Sequence, residues 1–428
     1  METSQTWIAN VEIVNAQLAK ESWYNTFWAK FSGNVDLSND DNGNTVYKPS
    51  GQPINIMNQF IQEGRDNMLI PFLADLTGSP VYGDTVLKGT GEDQSMKWLR
   101  TFVNQYRKAV MKKSGSMSEQ RQKIYKLYEA AKPQLARWFA KWENQAIFQT
   151  FYEGVSPNLS IGTNSDGLGI ARRYHPNWYT HTADGTITAI GTEGSTKANG
   201  DMDTAIGMTA ATAGTADVAI TAKGLHALRV LCMKRRIPQM TTKSGHPFWC
   251  LILHPVQAST LMQDSNYKSA VQAAYTGKML DEPELIGAVG YFAGFAIYED
   301  IIGIREWDEA VYFFGSTTSA RFDPTAVTLH GDASSKRIYN AIAFGKNAIG
   351  KGVARDLHFT NEVDDHENTI EVGGAVINGY QRNEYFAESE ATLGSGDAFY
   401  RAQTAAHDSA ELAAENTSSL IFATCEAN

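Results

Sequence analysis

The sequence has only three cysteines in 428 residues, Cys232, Cys250 and Cys425, and they lie far apart. Their number and spacing exclude a disulfide framework and the paired ligands of a zinc knuckle. We therefore expect three buried or inert thiols in a reducing compartment.

Long apolar runs and an excess of positive charge are missing as well. No apolar stretch approaches the ~20 residues that span a bilayer, and the N-terminal segment lacks the basic and apolar regions of a signal peptide. The formal net charge is −10, whereas a protein that wraps nucleic acid carries a basic excess on the contacting face. We expect a soluble, folded protein that does not bind membranes and does not hold DNA tightly.

Catalytic and cofactor motifs are also absent from the sequence. It contains no P-loop, no strand–GxGxxG–helix unit, no nucleophile elbow and no H-E-x-x-H. His358 and His366 flank Asp364 and Asp365, a composition that can bind zinc, although polar loops more often hold such residues for solvation. For His254, at the end of an apolar strand, pairing with a backbone carbonyl is favoured over catalysis. We predict no catalytic residue, no metal and no cofactor.

The clearest element that is present is a long amphipathic helix beginning at Ser116. Ser116 and Glu119 form a capping box, and apolar residues then recur every three or four positions as far as Phe151. With a stop at Gly154 the helix would be roughly 55 Å long, kinked near Pro133. Its predicted buried face is rich in aromatic side chains. The substitution Trp138→Ala on this face should lower the free energy of unfolding by about 3–5 kcal/mol. This face contains Leu135, Trp138, Phe139 and Trp142.

The segments before this helix mix aromatic residues with polar and glycine-rich loops. Residues 1–74 suggest an arm that packs on another subunit, or equally an N-terminal lobe of the same subunit. Residues 75–115 predict a long hairpin whose tip is rich in glycine. Glycine gives the tip little local stability, so we expect the tip to project or to dock elsewhere.

Beyond the long helix, residues 181–360 alternate strand-like and helical patterns and predict a mixed α/β domain. Near its start, residues 182–214 are rich in Gly and Thr and predict a surface excursion. Short β segments follow at 361–392. The Ala-, Ser- and Glu-rich residues 393–428 predict a loosely held tail.

Within the mixed domain, an amphipathic helix at 221–236 ends in three consecutive cations, Lys234, Arg235 and Arg236. Such a cluster could make a weak contact with phosphate. Interaction with the negative end of their own helix dipole is the favoured explanation.

Several motifs, taken in order, resemble the phage N4-type major capsid family. They are GSPVYGDTVLKGTGED with the strand RTFVNQYRKAV, MSEQR before LARWFAKWENQAIFQT, FWCLILHPVQASTLMQD, FAGFAIYED before AIAFGKNAIGKG, and NEVDDHENTIEVGGAVINGYQR. The resemblance covers most of the chain and departs in the Gly/Thr-rich stretch and the tail.

This resemblance implies an α+β protein with the Hong Kong 97 fold of tailed-phage shells. Residues 1–74 would be the N-terminal arm, 75–115 the extended E-loop hairpin, and 116–180 the peripheral domain with its spine helix. Residues 181–360 would be the axial domain, and 361–392 the return strands of the peripheral domain. The E-loop would contact a neighbouring subunit through Tyr82, Val86, Leu87, Lys88 and Glu92.

The implied function is that of the major capsid protein of a tailed double-stranded DNA phage, assembled in the host bacterial cytoplasm into pentamers and hexamers of an icosahedral virion shell. Expected partners are other copies of the chain, a scaffolding protein, a portal, a decoration protein and, by weak non-specific contact, the packaged DNA. Two alternatives remain. The chain could be a decoration or other structural virion protein, or a hydrolase of mixed α/β architecture.

Overall fold

The computed structural model describes fourteen stretches of the chain, which contain strands, α-helices and a 3-10 helix. No helix in these stretches is long and apolar enough to cross a membrane. The stretches are residues 27–39, 45–48, 50–58, 67–73, 80–83, 96–111, 127–153, 177–181, 185–189, 219–274, 287–300, 336–364, 369–383 and 418–427.

The helices differ greatly in length. A 3-10 helix spans Phe27–Phe31, α1 spans Leu127–Glu153, α2 Ala222–Lys234, α3 Pro255–Gln263 and α4 Ser265–Ala274. The 27 residues of α1 correspond to roughly 40 Å, and the predicted start at Ser116 lies outside the described residues. Pro133 is exposed within the second turn of described helix.

The described strands range from two to sixteen residues in length, and the four longest are the last four in chain order. The strands are β1 (Ser32–Asn34), β2 (Asp36–Asn39), β3 (Thr45–Lys48), β4 (Ile54–Met57), β5 (Asn67–Leu73), β6 (Met96–Phe102), β7 (Asn104–Met111), β8 (Trp178–His181), β9 (Ile187–Ala189), β10 (Met240–Thr241), β11 (Pro247–Leu253), β12 (Gly290–Phe292), β13 (Phe295–Glu299), β14 (Lys336–Phe344), β15 (Ile349–Asp364), β16 (Thr369–Arg382) and β17 (Ser419–Ala427).

A five-stranded sheet has the order β1-β4-β15-β16-β7 and carries α1 on one face. Strands β15 and β16 form a long antiparallel ladder with irregular register between Val353 and His358. The helix comes very close to β16 at Gly374, where an added Cβ would lie 2.7 Å from the Phe139 ring. Glycine at this position therefore lets α1 lie directly on the sheet.

An eight-stranded sheet has the order β12-β13-β11-β14-β17-β8-β9, with β10 paired to β11. Its central strand β11 reads PFWCLIL and is buried from Phe248 to Leu253, as expected for a strand covered on both faces. Trp249 and Leu251 face a cluster with α2 and α3, whereas Cys250 and Ile252 face a cluster shared with α1. Alternate residues of one strand thus serve two hydrophobic cores.

The 3-10 helix joins the two sheets. Its Trp28 is fully buried, with ring centroids 4.8 Å from Phe148, 5.3 Å from Phe151 and 5.5 Å from Phe344. Phe31 packs on Tyr298 of β13 at 5.2 Å. This part of the expected N-terminal arm therefore packs in the core of its own subunit. Aromatic side chains among loop residues did indicate packing, but the sequence did not indicate against which subunit.

Several of the predicted segments differ from the structure. The hairpin strands are β5 and β6, so the hairpin begins before residue 75, and β7 already belongs to the five-stranded sheet. Strand β15, expected inside the 181–360 domain, also lies in the five-stranded sheet. The expected tail contains β17, which pairs with β14 over nine residues in the middle of the other sheet. The polar composition of residues 393–418 concealed the apolar run that forms this strand.

Candidate assembly surfaces

The β5–β6 hairpin presents the first candidate contact surface. Its register runs from Asn67 opposite Phe102 to Leu73 opposite Met96. Between the strands the structure describes residues 80–83, where Tyr82 exposes 77% of its surface. A large aromatic side chain gains much from burial, so this position suits contact with another protein surface. The other expected contacts, Val86, Leu87, Lys88 and Glu92, lie outside the described residues.

The expected spine-helix residues lie mainly in the subunit's own core. Leu135, Phe139 and Trp142 are buried, and Trp142 packs on Tyr106 of β7 with ring centroids 4.1 Å apart. Trp138 is only partly buried, and the Lys108 ammonium lies 5.7 Å from its ring centroid. Because part of the Trp138 ring is already exposed to water, Trp138→Ala should lower the free energy of unfolding by less than the about 3–5 kcal/mol predicted from the sequence.

A buried ionic cluster ties α1 to the five-stranded sheet. The Lys351 Nζ lies 2.5 Å from Glu143 Oε1, and the Tyr380 hydroxyl donates a hydrogen bond to the same carboxylate oxygen. Burial, followed by the neighbouring Glu143 carboxylate, raises the pKa of Tyr380 well above its ordinary value, so the phenol remains a donor. Sequence reasoning missed this cluster. Its only signal was a lysine between two glycines in the run IGKGV, with which β15 begins.

The C-terminal end of α1 is fixed by a second buried cation that the sequence did not reveal. Arg382 is fully buried at the end of β16 and donates a hydrogen bond from Nη1 to the carbonyl oxygen of Phe151. A guanidinium at the carbonyl end of a helix also interacts favourably with the helix dipole. Both buried cations therefore orient α1 on the sheet.

His254 has a structural role at the start of α3. It is the N-cap of this helix, and its Nδ1 accepts a hydrogen bond of 3.3 Å from the Val256 N–H. Its ring stacks on Tyr339 at 4.4 Å. Gln257 is fully buried and donates to the Tyr339 carbonyl and to Thr424 Oγ1. These contacts anchor α3 to β14 and β17.

In the described part of the chain, the His and Asp residues whose composition could bind zinc do not form a site. His358 lies on β15 with its Nδ1 3.4 Å from the Asp356 carbonyl, Asp364 ends that strand, and Asp365 and His366 lie outside the described residues. No group of three or more His, Cys, Asp or Glu that could hold a metal occurs among the described residues. Burial raises the pKa of the Cys232 and Cys250 thiols, which makes them poor nucleophiles.

The three consecutive cations lie together where α2 ends. Lys234 and Arg236 are exposed, while Arg235 Nε donates a hydrogen bond of 3.1 Å to the Tyr179 hydroxyl on β8. One of the three cations, Arg235, therefore bonds to the eight-stranded sheet, and the other two are exposed to solvent.

The comparisons with known proteins identify the kind of molecule. A family model described as phage capsid protein matches residues 30–398. The chain belongs to the phage capsid protein family. No curated protein matches it. As a phage capsid protein it is a structural component of the virion.

Solved capsids share its fold. The capsid of Ralstonia phage GP4 is 13% identical with a TM-score of 0.58, covering 94% of this chain and 91% of that one. The Cyanophage Pam1 capsid asymmetric unit is 14% identical with a TM-score of 0.54, covering 94% of this chain and 92% of that one. The acidic stable capsid of Helicobacter pylori bacteriophage KHP30 is 11% identical with a TM-score of 0.54, again covering 94% of this chain and 92% of that one. At these identities the likeness is one of fold, and it extends over nearly the whole chain.

Proposed function

We propose that this capsid protein is the major shell subunit of a tailed double-stranded DNA phage, with the Hong Kong 97 fold. The observation that carries the proposal is the family match over residues 30–398, together with a capsid fold that covers 94% of the chain. Coverage of this extent favours a shell subunit over a decoration protein or a hydrolase. The finer assignment to the phage N4-type family rests on the sequence motifs.

The described elements fit the parts of such a subunit. Helix α1 on the five-stranded sheet corresponds to the spine helix and peripheral domain, and the eight-stranded sheet to the axial domain. The β5–β6 hairpin corresponds to the E-loop. In this assignment the subunits form hexamers and pentamers of an icosahedral shell, with the hairpin reaching a neighbour.

The hairpin tip is the contact that we expect to lock the shell. Ordering a residue costs roughly 1–2 kcal/mol of backbone entropy, and residues 82–90 offer only three large apolar side chains, Tyr82, Val86 and Leu87, to offset that cost. Contact with a neighbouring subunit would offset the rest. These three side chains and Lys88, all within residues 82–90, are proposed to reach the neighbour.

The further partners follow from the role of a shell. We propose assembly in the host bacterial cytoplasm with a scaffolding protein and a portal, and decoration of the finished virion capsid. The packaged DNA would be contacted weakly, because a subunit with a net charge of −10 does not attract phosphate overall.

The test is assembly of the purified protein, viewed by electron microscopy. Wild type should form shells, tubes or rings. Deletion of residues 82–90 should leave the melting transition near that of wild type and prevent closed shells, because the tip contributes to the neighbour and not to its own core. Met262→Ala, at an exposed position on α3, is the control and should assemble normally. A uniform wild-type monomer would contradict the proposed function, and robust shells from the deletion variant would show that the tip is not the lock.

A further inference from the structure

The charge of the chain is divided unevenly along the sequence. Residues 218–263 contain six lysines and arginines and no Asp or Glu, although the whole chain carries a formal −10. The remaining residues therefore carry −16. Most of the basic side chains lie on α2 or directly after it. One subunit thus combines a basic surface with an acidic remainder, and two copies of the chain are electrostatically complementary.

Helix α2 buries one face and exposes the other. Its buried side, which includes Leu225, Leu228 and Cys232, packs on the eight-stranded sheet. On the opposite side Val230 exposes 52% and Met233 51% of their surface, one turn apart. Exposed cations surround this apolar pair. We call the following five residues the α2 outer face: Arg229, Val230, Met233, Lys234 and Arg236.

Arg236 stands at a position where helices usually place glycine. Its φ is 53°, and the N–H groups of Arg236 and Ile237 bond to the carbonyls of Met233 and Cys232 at 3.1 and 3.0 Å. This is the Schellman pattern, in which the left-handed residue is most often glycine. A side chain there is disfavoured by local sterics, so the stability of the helix end does not account for arginine over glycine.

The composition of the α2 outer face fits a protein partner better than a nucleic acid. Met and Arg are enriched in protein interfaces, whose apolar centre is shielded from water by a polar rim. A phosphate backbone needs the cations alone and gains nothing from Val230 and Met233. An acidic partner is always present during assembly, because every other copy of this chain carries the −16 remainder.

We propose that the α2 outer face binds an acidic surface on a neighbouring copy of this chain. The two surfaces differ, so the contact is heterologous, and such contacts generate rings when their rotation closes. This inference rests on the proposed function and names the side-to-side contact within a ring of subunits. The hairpin tip is a separate contact.

The apolar centre is tested by Met233→Asp, with Met262→Asp as the matched control, since Met262 is 41% exposed on α3. Met233→Asp should keep the wild-type melting transition and raise the protein concentration needed for assembly at least about tenfold, measured by light scattering and electron microscopy. Met262→Asp should assemble like wild type. Equal assembly of the two variants at wild-type concentration would overturn the proposal.

The charged rim is tested by Arg236→Gly, with Arg355→Gly at an exposed position on β15 as the charge-matched control. Arg236→Gly relieves the left-handed conformation, so its melting temperature should equal or exceed that of wild type while its assembly weakens. Raising the salt from about 0.1 M to about 0.5 M should weaken assembly of wild type more than that of Arg236→Gly.

Three outcomes separate the alternatives. If Met233→Asp and Arg236→Gly both form shells with wild-type concentration and salt dependence, the α2 outer face is not the contact, and the proposed function stands. If wild type itself stays monomeric, the proposed function fails and this inference fails with it. If Arg236→Gly assembles normally but loses binding to a labelled double-stranded DNA fragment, the face binds nucleic acid and the proposal is overturned.

Discussion

The two sheets of the subunit are stabilised by different chemistry. In the eight-stranded sheet, β11, β14 and β17 contribute alternating apolar side chains to two cores, and Ile342, Leu420 and Phe422 are fully inaccessible. The eight-stranded sheet buries uncharged polar side chains as well, among them Asn340 and Thr424. The five-stranded sheet differs in that two buried cations, Lys351 and Arg382, bond to α1, and we call these contacts the polar layer.

This difference indicates how each region responds to displacement. Apolar burial is non-directional and scales with area, so the eight-stranded sheet keeps its stability through small shifts of its side chains. The hydrogen bonds and ion pair beneath α1 are directional, and a buried polar group that loses its partner is costly. We infer that the polar layer fixes one position of α1 on its sheet, while the apolar layers supply most of the stability.

The largest effect on stability is expected in the eight-stranded sheet, at β17. Deleting residues 418–428 removes β17, which pairs with β14 on one side and β8 on the other, and should abolish soluble folded protein. Phe422→Ala should leave a folded protein weakened by about 3–5 kcal/mol, because a fully buried ring is replaced by a cavity. Soluble yield and chemical denaturation measure the two effects. A soluble truncated protein with wild-type circular dichroism would show that β17 is dispensable.

Strands β11 and β17 show how far the sequence alone determines the structure. The run FWCLILHP predicted β11 and the following helix because a long apolar strand before His-Pro is a strong local pattern. The partners of β11 depend on contacts across hundreds of residues, and no local pattern specifies that β17 completes the sheet.

The contact surfaces were predictable to a similar extent. The spacing on α1 indicated its aromatic face, including Phe139 and Trp142. The Lys351–Glu143 pair was not predictable, because it joins residues 208 positions apart. Composition showed that Lys234 and Arg236 lie at a helix end, but only the fold shows that they face outward beside Met233.

An intermediate effect is expected in the polar layer. Lys351→Met leaves the Glu143 carboxylate buried without its cation and should cost about 3 kcal/mol. Adding Glu143→Gln should recover most of that loss, because the amide is neutral and can still accept from the Tyr380 hydroxyl. Denaturation of the single and double variants measures the coupling, with Lys346→Met as the control at a more exposed position. If the double variant is no more stable than Lys351→Met, the pair does not act as a unit.

The smallest effect is expected at Glu426, a buried carboxyl group on β17 of the eight-stranded sheet. Burial raises its pKa, opposed by hydrogen bonds from the Ile220 N–H at 2.9 Å and from Thr424 Oγ1 at 2.8 Å. A carboxyl whose pKa is higher in the folded state contributes stability that is complete below its unfolded pKa. That contribution is lost as the pH rises through the folded pKa.

Glu426→Gln keeps an acceptor for the Ile220 N–H but carries no charge, so it should gain stability relative to wild type as the pH rises from about 4 to about 8. Melting temperatures of both proteins across this range measure the difference. Glu299→Gln, at an exposed position on β13, is the control, and its melting temperature should change with pH in the same way as that of wild type. A constant difference between Glu426→Gln and wild type at every pH would mean that the buried carboxyl does not change its protonation on folding.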